Sequence, residues 1–545
     1  MEPMASTLRA SAGLSIAVLS SRVLGLVREA LFAALFGAGA LADAYQVAFR
    51  IPNLLRDLFA EGALSNAFVP TFAARLERDG KTGAHALGNL VLGGVLLVTG
   101  GLSLLGILFA EQVVDAISAD FGGDAAKVAL TVHLTRWMMP LLALVSASAV
   151  WMGMLNAQRR FLVSAMAPAM FNVAILAIGA GLWLWDTAPE HALVGWSVGT
   201  LAAGAVQGGV QLPALWRLGY RPVPRLAGLW RDPGVRRIVR LMAPAVVGLA
   251  AVQLNVFVNT RFAAELGDGP VAQLSYAFRL FYLPIGMFGV AHATVTTTRV
   301  AEDAARGDRG KMRASTAEGL GAAWMLTGAS CVGLVLLAEP VVALIFERGR
   351  FSAADTQATA LVLQAYVLGL VPYSLVKILA PAFYALDRPR IPLLASVGAV
   401  AVNLGFNAAT YRALGAPGIA LGTTLGALVN FAVLRIAYAK IVGPLPREGR
   451  LRRFAALALA NLVMAGVVAG AWWGVGELVA TPGVPAVAWL RGAAVLAVIA
   501  LGASVYVAVL VRLRVAGAEL LARLPGALWR RVTGRRKEPA QPPAG

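Results

Sequence analysis

Four arginines, Arg22, Arg28, Arg56 and Arg279, stand inside apolar stretches of membrane length, with Arg50, Asp43 and Glu61 in the same stretches. A charge at the centre of a bilayer costs roughly 2.5 to 3.5 kcal/mol even on insertion scales, so such side chains must face one another, water or a ligand of opposite charge. The arginines outnumber the acids beside them, and an excess of guanidinium asks for an anion. The planar fork of arginine holds phosphate oxygens bidentately and stays charged when partly desolvated. These residue types point to non-covalent capture of a phosphate-bearing group within a membrane.

Neighbouring residues fill out that site. Asn53 shares a helix face with Arg56 by its i, i+3 spacing and is placed to orient it. Asp43 and Glu61 are expected either to hold the empty site near neutrality or to couple it to an ion. Arg50 is expected to pair along its own helix with Asp57 or Glu61. Gly25 lies between Arg22 and Arg28, and Pro52 between Arg50 and Arg56, where a kink opens backbone groups to a cavity and gives a hinge. The plain alternative is that the arginines snorkel to the interface or pair among themselves.

Catalytic and metal motifs fail on inspection. Gly37-Ala-Gly39 has no preceding strand, so a dinucleotide fingerprint is excluded. Gly195-Trp-Ser197-Val-Gly199 matches a nucleophile elbow but lies in an apolar span, where its glycines suit helix packing. The four histidines have no metal-ligand spacing, and Cys331 is the single cysteine. No catalytic residue, metal site or cofactor is expected; coupling to the membrane potential or to a monovalent ion stays open.

The elements that must position these charges are membrane helices. The 545 residues are 59% hydrophobic and 14% charged, with a mean hydropathy of +0.73, which excludes an ordinary soluble domain. The net charge of +19 is spread over short clusters between apolar runs with no nucleic-acid-binding motif, so it reads as an orientation signal and no nucleic-acid partner is expected. Apolar runs predict fourteen spans, near 12–36, 44–72, 87–110, 129–156, 161–185, 192–216, 236–262, 271–299, 316–338, 357–385, 391–411, 416–440, 453–475 and 487–512. Arg75, Arg78, Lys81, Arg159, Arg160, the run from Arg217 to Arg237, and Arg306 to Arg313 alternate with acidic loops around Asp115 to Asp124, Asp186 and Glu190, and Glu265 and Asp268. Both termini are then cytoplasmic, and Arg348 and Arg350 are the exceptions in an outer loop.

The chain also repeats itself. Ala48-Phe49-Arg50 falls on Ala277-Phe278-Arg279 at an offset of 229, which also carries Asp79 onto Asp308. Six helices per repeat give both copies one orientation. The fold expected is therefore an all-α polytopic membrane protein: two parallel-repeat six-helix lobes, 1–225 and 226–445, then two added helices at 446–513. The tail 514–545 is read as an amphipathic basic helix on the anionic leaflet or, equally, as a solvated basic tail.

The stretches S-R-V-L-G-L-V-R-E at 21–29, A-F-R-I-P-N-L-L-R-D-L-F-A-E-G-A-L-S-N-A-F-V-P at 48–70, F-E-R-G-R-F-S-A-A-D-T at 346–356 and L-V-K-I-L-A-P-A-F-Y-A-L at 375–386 resemble the MurJ/MviN lipid II flippases of the multidrug/oligosaccharidyl-lipid/polysaccharide exporter superfamily. The resemblance implies a flippase of the bacterial inner membrane that moves lipid II, undecaprenyl-diphosphate-linked disaccharide pentapeptide, to the outer leaflet for peptidoglycan synthesis. It implies a central cationic cavity of Arg22, Arg28, Arg56 and Arg279, with Ser21, Asn53, Asp43 and Glu61 near it, and a lipid-tail groove on spans 13 and 14. Lipid II and the bilayer are the expected partners, and a monomer the expected state. One departure stands out: the family commonly carries an acid in R-L-x-E-F-P, where this chain has Arg279-Leu-Phe-Tyr282-Leu-Pro284. Alternatives are a flippase for another polyprenyl-diphosphate oligosaccharide, or a drug or cation exporter, whose cavity should be acidic. A membrane glycosyltransferase would need acidic catalytic residues in a sizeable loop, and the loops here are short.

Overall fold

A computed structural model describes residues 2–57, 63–185, 188–286, 290–446, 449–480, 488–519 and 521, and all regular structure among them is helical. In chain order the α-helices are α1 (Glu2–Phe36), α2 (Ala40–Arg56), α3 (Ala63–Leu108), α4 (Ala110–Ser118), α5 (Ala125–Met138), α6 (Leu141–Ala157), α7 (Phe161–Leu184), α8 (Pro189–Gly209), α9 (Leu212–Arg217) and α10 (Pro233–Ala264). They continue with α11 (Pro270–Pro284), α12 (Val290–Ala305), α13 (Arg309–Leu336), α14 (Ala338–Phe346), α15 (Ala353–Val367), α16 (Leu370–Tyr384), α17 (Arg390–Ile441), α18 (Arg450–Ala480) and α19 (Ala488–Arg512). Most of the expected tail and Glu61 lie outside the described residues.

Local chemistry sets the helix ends. Asp232 caps α10 by accepting from the Gly234 and Val235 amides at 2.7 and 3.2 Å, and Asp308 caps α13 through the Lys311 amide at 2.9 Å. That backbone bond holds the exposed Asp308 carboxyl below the usual carboxylate range. Two long helices are broken by glycine. Gly80 in α3 has φ 67° and ψ −168°, and Gly415 in α17 has φ 62° and ψ −151°, a region essentially closed to other residues. Each break falls between two of the spans expected from the sequence. By length and composition, eight helices among the described residues could cross a membrane, or nine if α15 and α16 form one span.

Packing divides the chain into two compact units. The first comprises Met1–Leu280, Ile345–Tyr366 and Ser396–Gly426. Here α1 lies along α7, α7 against α8, and α3 against α6 and α10, around a core that includes Phe68, Phe72, Leu87, Val150, Met154 and Tyr220. Phe32 of α1 meets Tyr45 of α2 and Trp196 of α8 with ring centroids 4.6 and 5.4 Å apart, fixing the register of the three helices. The F-E-R-G-R-F segment closes on the end of α1. Its Arg350 amide donates to the Ala34 carbonyl at 2.8 Å, and Phe346 and Phe351 pack on Tyr276 at 5.0 and 5.6 Å.

The second unit comprises Phe281–Leu344, Val367–Ala395 and Ala427–Gly545. Its core gathers Met312, Leu375, Ile378, Leu379, Phe383, Leu434 and Tyr438 from α13, α16 and α17. The buried Tyr438 hydroxyl finds Thr316 at 2.9 Å, and that of Tyr506 donates to the Met325 carbonyl at 2.8 Å.

The backbone at Gly415 makes a direct prediction. Gly415→Ala and Gly415→Val lower stability by about 1 to 3 kcal/mol, read as a fall in the thermal unfolding midpoint in detergent. Gly405→Ala is the control: the same helix has open space there, so the alanine is neutral or stabilises by up to about 1 kcal/mol.

Candidate functional site

The site starts at the C-terminal half of α1. Arg28 donates from Nη1 to Asn172 Oδ1 of α7 at 3.2 Å, pairs through Nη2 with Glu29, and has its guanidinium carbon 5.8 Å from the centre of the Phe171 ring. Arg279 of α11 reaches the same Glu29 oxygen, Oε1, at 3.1 Å. One carboxylate thus holds two guanidinium groups and leaves one net positive charge. The acid is deep, at 7% exposure, whereas the Arg279 side chain is 48% exposed. Asn172 is itself oriented by donating from Nδ2 to the Ser21 carbonyl at 3.1 Å.

A small cavity opens beside this triplet, lined among others by Arg28, Glu29, Tyr45, Gln46, Thr200 and Arg279, with about 10 Å³ of room. That holds about one water. Tyr45 and Thr200, 3.2 Å apart through their hydroxyls, add polar lining.

The other sequence-derived residues are distributed unevenly. Arg56 pairs with Asp57 at 2.9 Å, and Asp57 also accepts from Gln253 of α10 at 3.3 Å. Arg50 does not meet Asp57, because seven helical residues separate them by about 10 Å; its Nη2 instead donates to Ser275 of α11 at 3.3 Å. Arg22 is exposed, and neither it nor the Asn53 side chain has a polar partner among the described residues. Ser21 contributes its carbonyl rather than its hydroxyl. α1 is helical through Gly25 and α2 through Pro52.

Asp43 does not balance the arginines. It is fully buried and takes the Lys127 ammonium at 3.0 Å and the Gly269 and Ala272 amides at 2.7 and 2.8 Å. It therefore caps α11, where the exposed amides of a helix N-terminus favour a carboxylate. Lys127 also meets Asp268 at 2.8 Å and lies 4.3 Å from the Phe121 ring centre. Sequence reading missed Glu29 and Lys127. Each left a signal, an acid directly after Arg28 and a lone lysine at the mouth of an apolar span. Among the described residues no His, Cys, Asp and Glu cluster could hold a metal.

The cationic triplet thus joins α1 and α11 within an all-helical membrane fold. The family model for lipid II flippase MurJ matches residues 32–493. The chain belongs to that family. A lipid II flippase MurJ from Burkholderia cenocepacia is 35% identical over 452 residues, 83% of this chain and 87% of the relative. A probable lipid II flippase MurJ from Rhizobium meliloti is 35% identical over 429 residues, 77% and 78% of the two chains. A solved lipid II flippase MurJ in an inward closed conformation has the same fold, with a TM-score of 0.74 at 23% identity over 91% of this chain and 99% of that one. An inward-facing multidrug resistance MATE family transporter follows at 0.63 and 18%, covering 81% and 98%. The helical framework is that of the family.

The buried clamp on α11 is testable. Breaking one partner of a buried ion pair costs about 3 to 5 kcal/mol because the other charge is stranded. Asp43→Ala is expected to lower the thermal midpoint far more than Lys127→Met. Lys127→Met added to Asp43→Ala should recover part of the loss, a double-mutant coupling of about 1 to 3 kcal/mol. Additive losses would show that Lys127 does not depend on Asp43.

Proposed function

We propose that this protein is a lipid II flippase of the bacterial inner membrane, carrying undecaprenyl-diphosphate-linked disaccharide pentapeptide from the inner to the outer leaflet. The observation that carries the reading is the Arg28–Glu29–Arg279 triplet. Two guanidinium groups share one acid, so their valence is only half met, and a diphosphate brings the charge that completes it. The residual positive charge disfavours a cation exporter. A sibling flippase for another polyprenyl-diphosphate sugar would present the same diphosphate, and family membership favours lipid II over it.

Glu29 serves as the resting counter-ion. The diphosphate displaces its carboxylate from Arg279, the more exposed arginine, and then shares Arg28. The cavity beside the triplet is far too small for a diphosphate, so loading requires the surrounding helices to part, and alternating access is the mechanism in which they do. Arg22, Arg56, Arg50, Ser21 and Asn53 extend the polar path, with Gly25 and Pro52 as hinges. The inside-negative membrane potential would favour outward movement of the anionic headgroup by about 2.3 kcal/mol per charge per 100 mV. The reading includes fourteen crossings with both termini cytoplasmic, repeats at 1–225 and 226–445, a tail groove on α18 and α19, and a monomer without enzymatic activity or cofactor.

Lipid II binding to the purified full chain, measured by native mass spectrometry against a neutral-lipid control, tests the reading. Arg28→Ala and Arg279→Ala each lose about 1.5 to 3 kcal/mol, or tenfold and more in affinity. Glu29→Gln moves the other way and tightens binding, because it removes the competing carboxylate. Equal, unselective binding by all four proteins would overturn the site and the function together.

A further inference from the structure

We propose that Lys377 is an oxyanion-binding group for the transported lipid, held out for its ligand by the rings of Tyr282 and Tyr373. Lys377 lies midway along α16, an apolar helix with no acid of its own. Its Nζ stands 5.3 Å from the centre of the Tyr282 ring and 5.4 Å from that of Tyr373, and donates to the Tyr282 hydroxyl at 3.3 Å. No carboxylate pairs with it among the described residues. The two rings are set edge to face, 6.5 Å apart, and Phe281 braces Tyr373 edge-on at 5.6 Å. These residues all belong to the second unit.

The arrangement differs from both ordinary fates of a membrane lysine. A snorkelling ammonium is drawn to the interface by water and headgroups, whereas this one is held at the Tyr282 hydroxyl with the centres of two rings 5.3 and 5.4 Å away. A salt-bridged lysine is neutralised by its acid; aromatic quadrupoles attract a cation without cancelling its charge. Lys377 therefore keeps a whole positive charge and two ammonium hydrogens beyond the one given to Tyr282. Tyr282 is 37% exposed, so a ligand has access to the cage. Pro381, four residues on, cannot donate to the Lys377 carbonyl, which loosens α16 at this turn. A fixed, uncancelled ammonium with free donors takes an oxyanion. The proposal rests on the lipid II reading, and that lipid offers two oxyanion sources, its diphosphate and the carboxylates of its peptide.

The test compares wild type with Lys377→Met, Lys377→Arg, Tyr282→Phe and Tyr282→Glu in lipid nanodiscs. The probes are lipid II, undecaprenyl diphosphate, the diphosphate-linked disaccharide without peptide, and undecaprenol as control. Lys377→Met, which keeps the length and packing of the stem, is expected to weaken binding about tenfold. Lys377→Arg should restore most of it. Tyr282→Glu should mimic Lys377→Met by supplying an internal counter-ion, and Tyr282→Phe should stay near wild type because the ring remains. Loss with all three anionic lipids assigns the diphosphate to Lys377; loss with lipid II alone assigns a peptide carboxylate. Wild-type affinity for every lipid in both Lys377→Met and Tyr282→Glu overturns the proposal. Protection of Lys377 from amine acylation by inorganic diphosphate or by the free pentapeptide, read by mass spectrometry, gives an answer independent of transport. Protection in a protein that does not select lipid II would sink the flippase reading and leave the oxyanion site standing; no protection by either probe and no lipid effect would sink the oxyanion site.

Discussion

An ionised guanidinium has no stable place in hydrocarbon unless a counter-charge or water accompanies it, and the first unit is arranged around that constraint. Arg28 and Arg279 arrive on α1 and α11, far apart in sequence, and among the described residues only Glu29 pairs with both. For that to happen α1 and α7 must lie in one register, which Asn172 enforces by bonding Arg28 on one side and the Ser21 carbonyl on the other. α1, α2 and α8 must hold together, which the Phe32, Tyr45 and Trp196 rings accomplish. α11 must present Arg279 at the right height, and its N-terminus is pinned by Asp43.

The two acids, Asp43 and Glu29, do opposite work, and their surroundings decide which does which. Asp43 has no exposure and three donors: the Gly269 and Ala272 amides and the Lys127 ammonium, which also holds Asp268 and the Gly267 carbonyl. Losing that carboxylate frees two buried amides and removes one of the two acids that hold the buried Lys127 ammonium. Glu29 is nearly as deep, but one of its partners is half exposed. Pairs with an exposed member are worth about 0 to 1 kcal/mol, so the bond to Arg279 can be exchanged for one to a ligand at little cost. The first pair is architecture and the second is replaceable.

What the sequence made legible follows the reach of local rules. Apolar runs marked the helices, and the arginines of α1, α2 and α11 announced themselves by their cost. Partners across helices were another matter. Arg50 was expected to pair along its helix with Asp57 or Glu61; it meets Ser275 of α11 and not Asp57, because periodicity specifies a face and not the helix opposite. Asp43 was grouped with the arginines by proximity in sequence, and its true partner, Lys127, is 84 residues away. Arg350 looked like a charge on the wrong side of the membrane. Its seat is fixed instead by its backbone amide on Ala34, which charge counting does not detect.

Arg279 and Tyr282 lie one turn apart on α11, and the chain treats the cations beside them by different physics. The guanidinium of Arg279 is met by a carboxylate, so its charge is partly used. The ammonium of Lys377 is met by two rings, which stabilise it without using its charge. An acid at residue 282 would pair with Lys377 and consume both charges; a tyrosine fixes the lysine in place and leaves it cationic. Tyr282 thus leaves the second unit one charge more positive than a carboxylate there would, and it holds the lysine through its hydroxyl.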